Sequence, residues 1–382
     1  MNLADLMNEL ADDVDTRALP EPDQVRQVGD RLRRRHRNRL ATAAAALAVA
    51  LTAAAVAVGD PRSAPEPAGP TGGLRVVRTV EVPGSGAAFV ADGSLWVVDM
   101  AGGSLTADGT APAGDLYQLD PESGQILDRI PGAVGGWPTV GAGAVWLSTA
   151  AGGLDVLTRV DLTTHEVTRI TTSHPRSLPH GVAVVGDAVW VASTGTGDLL
   201  VLDSHSLATQ QSIHLGDERS GRAPQSIVTD GASVWVSDDN GVVSRFDGLT
   251  GVRTSRVHLP AKEVRLDGID GAGTLYAHTL RGNSVFEITT GVGSEPDTIG
   301  RELPLTAEVD SMLGGLTIGP GSVWAATLNP DQLLRVDPAS LDISEQAPIA
   351  GIDHESNVPI AIAATEDTAW VRVEDKVIEV TR

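Results

Sequence analysis

Between Trp137 and His354 lie the side chains best equipped for chemistry. His174, His180, His278 and His354 supply imidazole. Asp238, Asp239, Asp267 and Asp310 supply carboxylate, and Trp137, Arg222 and Gln225 add a ring face, a guanidinium and an amide. Imidazole with carboxylate is a donor set for a divalent metal in a hydrolytic or eliminating enzyme. The same residues beside a tryptophan and an arginine also suit a site for a polar ligand. Their separations match no metal-ligand spacing, so only tertiary structure can unite them. No cofactor motif is evident, and a divalent metal enters only with the enzyme alternative. The 382 residues include no cysteine, which removes disulfides, thiolate zinc, cysteine nucleophiles and a lipidated amino-terminal cysteine.

The elements that must position these residues announce themselves by repetition. A glycine-rich or acidic turn followed by an aromatic recurs as ADGSLWVVD, GAGAVWLST, VGDAVWVAS, DGASVWVSD, GAGTLYAHT, GPGSVWAAT and TEDTAWVRV. This places Trp96, Trp146, Trp190, Trp235, Tyr276, Trp324 and Trp370 at intervals of 41 to 50 residues. That period is the length of a four-stranded propeller blade. The third repeat shows the unit: VAVV, a turn at Gly186-Asp187, AVWVAS, DLLVLD and ATQQSIHL, each β-branched or alternating as a half-buried strand requires. Asp120, Asp161, Asp203, Asp247 and Asp337 follow third strands and are expected to cap turns by accepting backbone N–H bonds two residues on. The last repeat supplies three strands, and LRVVRTVEVP, residues 74 to 83, is the expected fourth. The expectation is all-β: a seven-bladed β-propeller of four-stranded antiparallel blades over 74–382, preceded by a single transmembrane helix.

The second connection of a blade and the link to the next blade emerge at the same end of the meander. These are the long ones, at 100–114, 171–180, 216–225, 302–314 and 350–359. Elaborated loops on one side of a regular scaffold mark the interacting face. Trp137, His174, His180, Arg222, Gln225, Asp238, Asp267, His278 and His354 fall on that side. Trp137 is the one tryptophan outside the repeat register. It serves either as a stacking platform at the channel mouth or as a cover for the core.

Charge and hydropathy place the chain. Residues 1–40 carry eight arginines and eight acidic residues, so the formal charge of −22 belongs to 41–382. An acidic surface excludes nucleic acid as a partner of the propeller. Residues 40–58, LATAAAALAVALTAAAVAV, are uncharged and just long enough to span a bilayer. RLRRRHRNR precedes them, which holds residues 1–39 in the cytoplasm and sends the propeller outside. Residues 59–73 are a Pro/Gly-rich stalk. Leu3, Leu6, Met7 and Leu10 form a helical stripe in residues 2–15, the place for a cytoplasmic partner or a membrane surface.

The phrases GVAVVGDAVWVASTGTGDLLVLDSHSL and LTIGPGSVWAATLNPDQLLRVDPASLD resemble the YVTN-type and streptogramin-lyase-like bacterial propellers over about residues 75–382. The lyase resemblance implies a metal-assisted elimination that opens a cyclic ester, with His and Glu on the loop-rich face. The Trp-Phe-Thr-Glu phrase of those blades is replaced here by Trp96-Val-Val-Asp, Trp190-Val-Ala-Ser and Trp235-Val-Ser-Asp. No catalytic residue carries over. The expected function is therefore a membrane-anchored, extracytoplasmic, non-catalytic binding or scaffold/sensor module for a protein, a glycan or a small ligand. A metal-assisted lyase or lactonase on the same face is the alternative.

Overall fold

The computed structural model describes residues 73–382 apart from 85, 100–113, 134, 150–155, 172–178, 217–221, 280–283, 292–294, 305–311, 329 and 350–360. The chain separates into two units, Met1–Gly69 and Pro70–Arg382. The described residues belong to the second, so the 2–15 stripe and the 40–58 span lie outside them. Among the described residues, no helix is long and apolar enough to cross a membrane.

The described residues form seven four-stranded antiparallel sheets, six of them built from four strands consecutive in sequence. The first strands of the blades are Ala88–Ala91, Trp137–Gly141, Pro179–Val185, Pro224–Thr229, Val264–Ile269, Met312–Gly319 and Ala361–Ala364. Residues of six of these strands, with Gly86 and Ala87 just before the first, line one central cavity, so these are the inner strands of a propeller.

The repeat aromatics explain why the sheets form a ring. All seven sit third in their blade's second strand. Each reaches forward into the next blade. Trp190 of blade 3 packs with Ile227, Val234, Val236 and Phe246 of blade 4, and its Nε1 donates to Gly248 O at 3.1 Å. Trp370 of blade 7 packs against Ala88, Leu95, Val97, Tyr117 and Leu119 of blade 1, completing the circle. The core is thus a set of interfaces between sheets, and removing one such tryptophan side chain costs about 3–5 kcal/mol.

The seventh blade closes as the sequence requires. Arg75–Glu81 pairs antiparallel with Lys376–Thr381 as its outer strand, reinforced by Arg78 and Glu379 at 2.8 Å. Arg372, fully buried on the second strand, clamps the junction: its Nη2 donates to the carbonyls of Val82, Pro83 and Gly84. Burial pushes its pKa down to about 10. The turn acids also behave as expected. Asp203 Oδ1, for example, accepts from His205 N at 3.2 Å and Ser206 N at 2.7 Å, and Asp120, Asp161, Asp247 and Asp337 repeat the pattern.

Candidate functional site

The inner strands of blades 2 to 5 begin on the loop-rich face, and their first residues carry the large side chains of the channel mouth. Trp137 opens the strand of blade 2; His180, Gln225 and Arg265 stand second in those of blades 3, 4 and 5. Local backbone geometry helps aim them. The ladder slips between Pro179 and Gly181 and between Pro224 and Ser226, which leaves His180 and Gln225 as bulge residues. In blade 5 the slip falls between Leu266 and Gly268, so Asp267 is the bulge residue there. A bulge releases one residue from the ladder and re-aims its side chain.

Hydroxyls staple this arc together. Thr139 Oγ1 donates to Val182 O at 2.6 Å, tying blade 2 to blade 3, and Thr194 Oγ1 donates to Pro224 O at 2.7 Å, tying blade 3 to blade 4. Blades 4 and 5 share a longer relay. Ser237 Oγ donates to Val264 O at 2.8 Å and accepts from Ser226 Oγ at 2.7 Å, which in turn accepts from Leu266 N at 2.7 Å. Both neighbours of Arg265 are therefore fixed to blade 4.

These residues enclose a cavity of about 490 Å³, a size that suits a small organic ligand. The rings of Trp137 and His180 lie 4.6 Å apart, centroid to centroid, tilted by 34°. Arg265 Cζ stands 5.6 Å from the Trp137 ring centroid, a cation–π contact. His180 Nδ1 donates to Gln225 O at 2.7 Å, which leaves the lone pair on Nε2. Burial lowers the His180 pKa below its ordinary value against the opposing effect of that hydrogen bond, and Arg265 adds to the lowering. His180 is a neutral acceptor at neutral pH.

A second feature stands beside the arc. His278 Nδ1 lies 2.8 Å from both oxygens of Asp267, and both side chains are buried. Burial raises the Asp267 pKa, opposed by His278 and Arg265. Asp267 fixes the ring and leaves Nε2 as the nitrogen it does not engage. At the fifth position of the second strands the blades carry Val98, Ser148, Ala192, Ser237, His278, Ala326 and Arg372. His278 and Arg372 are thus the two departures from an otherwise small or apolar site.

Of the residues singled out in the sequence, Trp137, His180, Gln225, Asp267 and His278 come together around the cavity. Arg222 is exposed and is not among the cavity-lining residues. Asp238 ends the second strand of blade 4, where its Oδ1 accepts from Asn240 N and Val242 N. Burial raises its pKa against those bonds, and it too is absent from the cavity lining. His174, His354 and Asp310 lie outside the described residues. Among the described residues no three of His, Cys, Asp and Glu gather in a metal-binding group. Sequence reasoning missed Arg265. The signal was a large polar residue second in consecutive inner strands, in PHGVAVV, PQSIVT and VRLDGI.

No protein-family model matches the chain, and no curated protein matches it. Solved structures do. The virginiamycin B lyase of Staphylococcus aureus superposes with a TM-score of 0.61 at 17% identity, covering 81% of this chain and 99% of the lyase. A catalytically inactive histidine-to-alanine variant of that lyase, solved with quinupristin, gives the same values. The β-propeller domain of Cps50 (Swd1) from Myceliophteria thermophila superposes with a TM-score of 0.63 at 10% identity, covering 81% and 99%. A lyase and a Cps50 domain match equally well, so the likeness is one of fold.

Proposed function

We propose that this chain is a membrane-anchored, extracytoplasmic propeller that binds a small ligand at the channel mouth on its loop-rich face, without converting it. The observation that carries the reading is the arc of Trp137, His180, Gln225 and Arg265, contributed by four successive blades to one cavity. Bulges, hydroxyl staples and ring contacts set these side chains before any ligand arrives, and such preorganisation favours binding. The anchor in this reading is residues 40–58, followed by the Pro/Gly-rich stretch 59–73.

The test is a thermal-shift screen of the full-length chain against small acids, sugars and peptides, with each hit recovered and weighed by mass spectrometry. The expected result is a ligand that raises the melting temperature, loses that effect in Gln225→Ala, and returns unchanged. Conversion of the hit would overturn the reading.

The pairing of His278 with Asp267 supports a second reading, an eliminating enzyme of the lyase or lactonase kind. A histidine oriented through Nδ1 by a buried carboxylate presents Nε2 as a general base. It would take the proton next to a carbonyl while the ester oxygen on the adjacent carbon leaves with its bonding pair as a carboxylate. A metal-assisted version needs donors beyond this pair, because both Asp267 oxygens face His278. His174 and His354 are the remaining histidines assigned to this face. Under this reading the parent chain converts its ligand and His278→Ala abolishes that turnover, whereas under the first the parent already returns the ligand unchanged.

A further inference from the structure

One guanidinium in the channel, that of Arg265, has no salt-bridge partner among the described residues and senses the Asp267 carboxylate only at a distance. Arg129, Arg159, Arg245, Arg301, Arg335 and Arg382 each pair with a carboxylate. Arg265 forms no such pair among the described residues, although the chain has 50 acidic side chains against 28 basic ones. The nearby carboxylate, Asp267, turns both oxygens to His278 instead. Burial lowers the Arg265 pKa, so the cation is held there at a cost. Its position is nonetheless fixed, with the guanidinium against Trp137 and the backbone on either side held by the Ser226–Ser237 relay. A desolvated, preorganised and unpaired guanidinium is the arrangement that recognises a planar or tetrahedral oxyanion through two parallel hydrogen bonds.

The rest of the lining differs in character. Blades 6, 7 and 1 contribute Gly314, Gly315, Ala361, Gly86 and Ala87 among their lining residues. Small side chains there leave room for an apolar body.

We propose that the channel mouth receives an organic anion, its carboxylate or phosphate head on Arg265 and its apolar body along the glycine- and alanine-lined side of the cavity. This rests on the binding reading and supplies its ligand class. His180 offers its lone-pair Nε2 to a hydroxyl or amide N–H on the same molecule.

The experiment is isothermal titration of the full-length chain in detergent micelles with benzoate, phenyl phosphate and benzamide, the last being a neutral near-isostere of benzoate. At least one of the two anions is expected to bind tenfold or more tightly than benzamide, and Arg265→Gln is expected to erase that preference. Whichever anion binds more tightly identifies the head group. Equal binding of all three probes, or a preference that survives in Arg265→Gln, overturns the anion assignment while leaving the cavity a binding site. Absence of binding by all three overturns both. The comparison of benzoate and phenyl phosphate with benzamide on the parent chain decides the matter even if the variant fails to fold. Arg265→Lys keeps the charge without the two-pronged donor, and is expected to retain a weakened preference.

Discussion

At the scale of single residues, identical side chains do different work according to what surrounds them. Asp161 sits in a solvated turn, where the backbone N–H groups of Thr164 and Thr163, with Arg159, lower its pKa to about 2. Asp267, buried against a histidine, is shifted the other way. The signs decide how stability follows pH. Between its ordinary 3.8 and about 2, Asp161 takes up a proton in the unfolded chain before it does so in the folded one. Its contribution is therefore complete above the ordinary value and is lost as pH falls through that window. Asp161→Ala is expected to flatten the fall of melting temperature across this window relative to the parent chain. His180 also resists protonation when folded, so its contribution is complete above its ordinary pKa of 6.5 and declines on acidification below it. Because Arg265 helps depress the imidazole, Arg265→Gln is expected to move the His180 titration midpoint upward, measurable from the ring proton shifts. An unchanged midpoint would show that the two groups do not sense each other.

At the scale of strands, the closing blade is where the ring is most exposed to damage. Deleting residues 74–82 removes the partner of Lys376–Thr381, the Val82 carbonyl that accepts from Arg372 and the Val82 N–H that donates to Asp375 O. The truncated chain is expected to melt far below the parent or to lose its cooperative transition. Melting at the parent temperature would show that the outer strand is dispensable. This strand was legible in the sequence because an unpaired LRVVRTVEVP preceded a repeat lacking its fourth strand. The repeat aromatics were equally legible, since each solves the same packing problem at the same register. The site was only partly so. Trp137 and His278 showed as breaks in the repeat, but the unpaired state of Arg265 depends on where Asp267 points. The bulge that turns Asp267 toward His278 leaves no mark in the spacing of residues. Asp238 illustrates the converse, being a polar residue at the right end of a strand whose oxygen is occupied by its own turn.

At the scale of the whole molecule, the strong negative charge and the Arg265 guanidinium, which has no salt-bridge partner among the described residues, belong together. A surface with this excess of acid repels anions at long range, so an anion that reaches Arg265 is favoured further as salt screens the periphery. The proposed orientation is checked by fusing alkaline phosphatase after Arg382. Activity is expected from the intact chain and its loss when 40–58 is deleted; an intact fusion that is made but inactive would overturn the orientation. The pairing of Arg75–Glu81 with Lys376–Thr381 also has a consequence in time. During synthesis the earlier strand leaves the ribosome nearly 300 residues before its mate, a wait of about 15–60 s at ordinary elongation rates. For that interval the Trp370 pocket on blade 1 stays unfilled and an unpaired β-edge stays open. The last segment translated is thus the one that turns an open chain of blades into a ring.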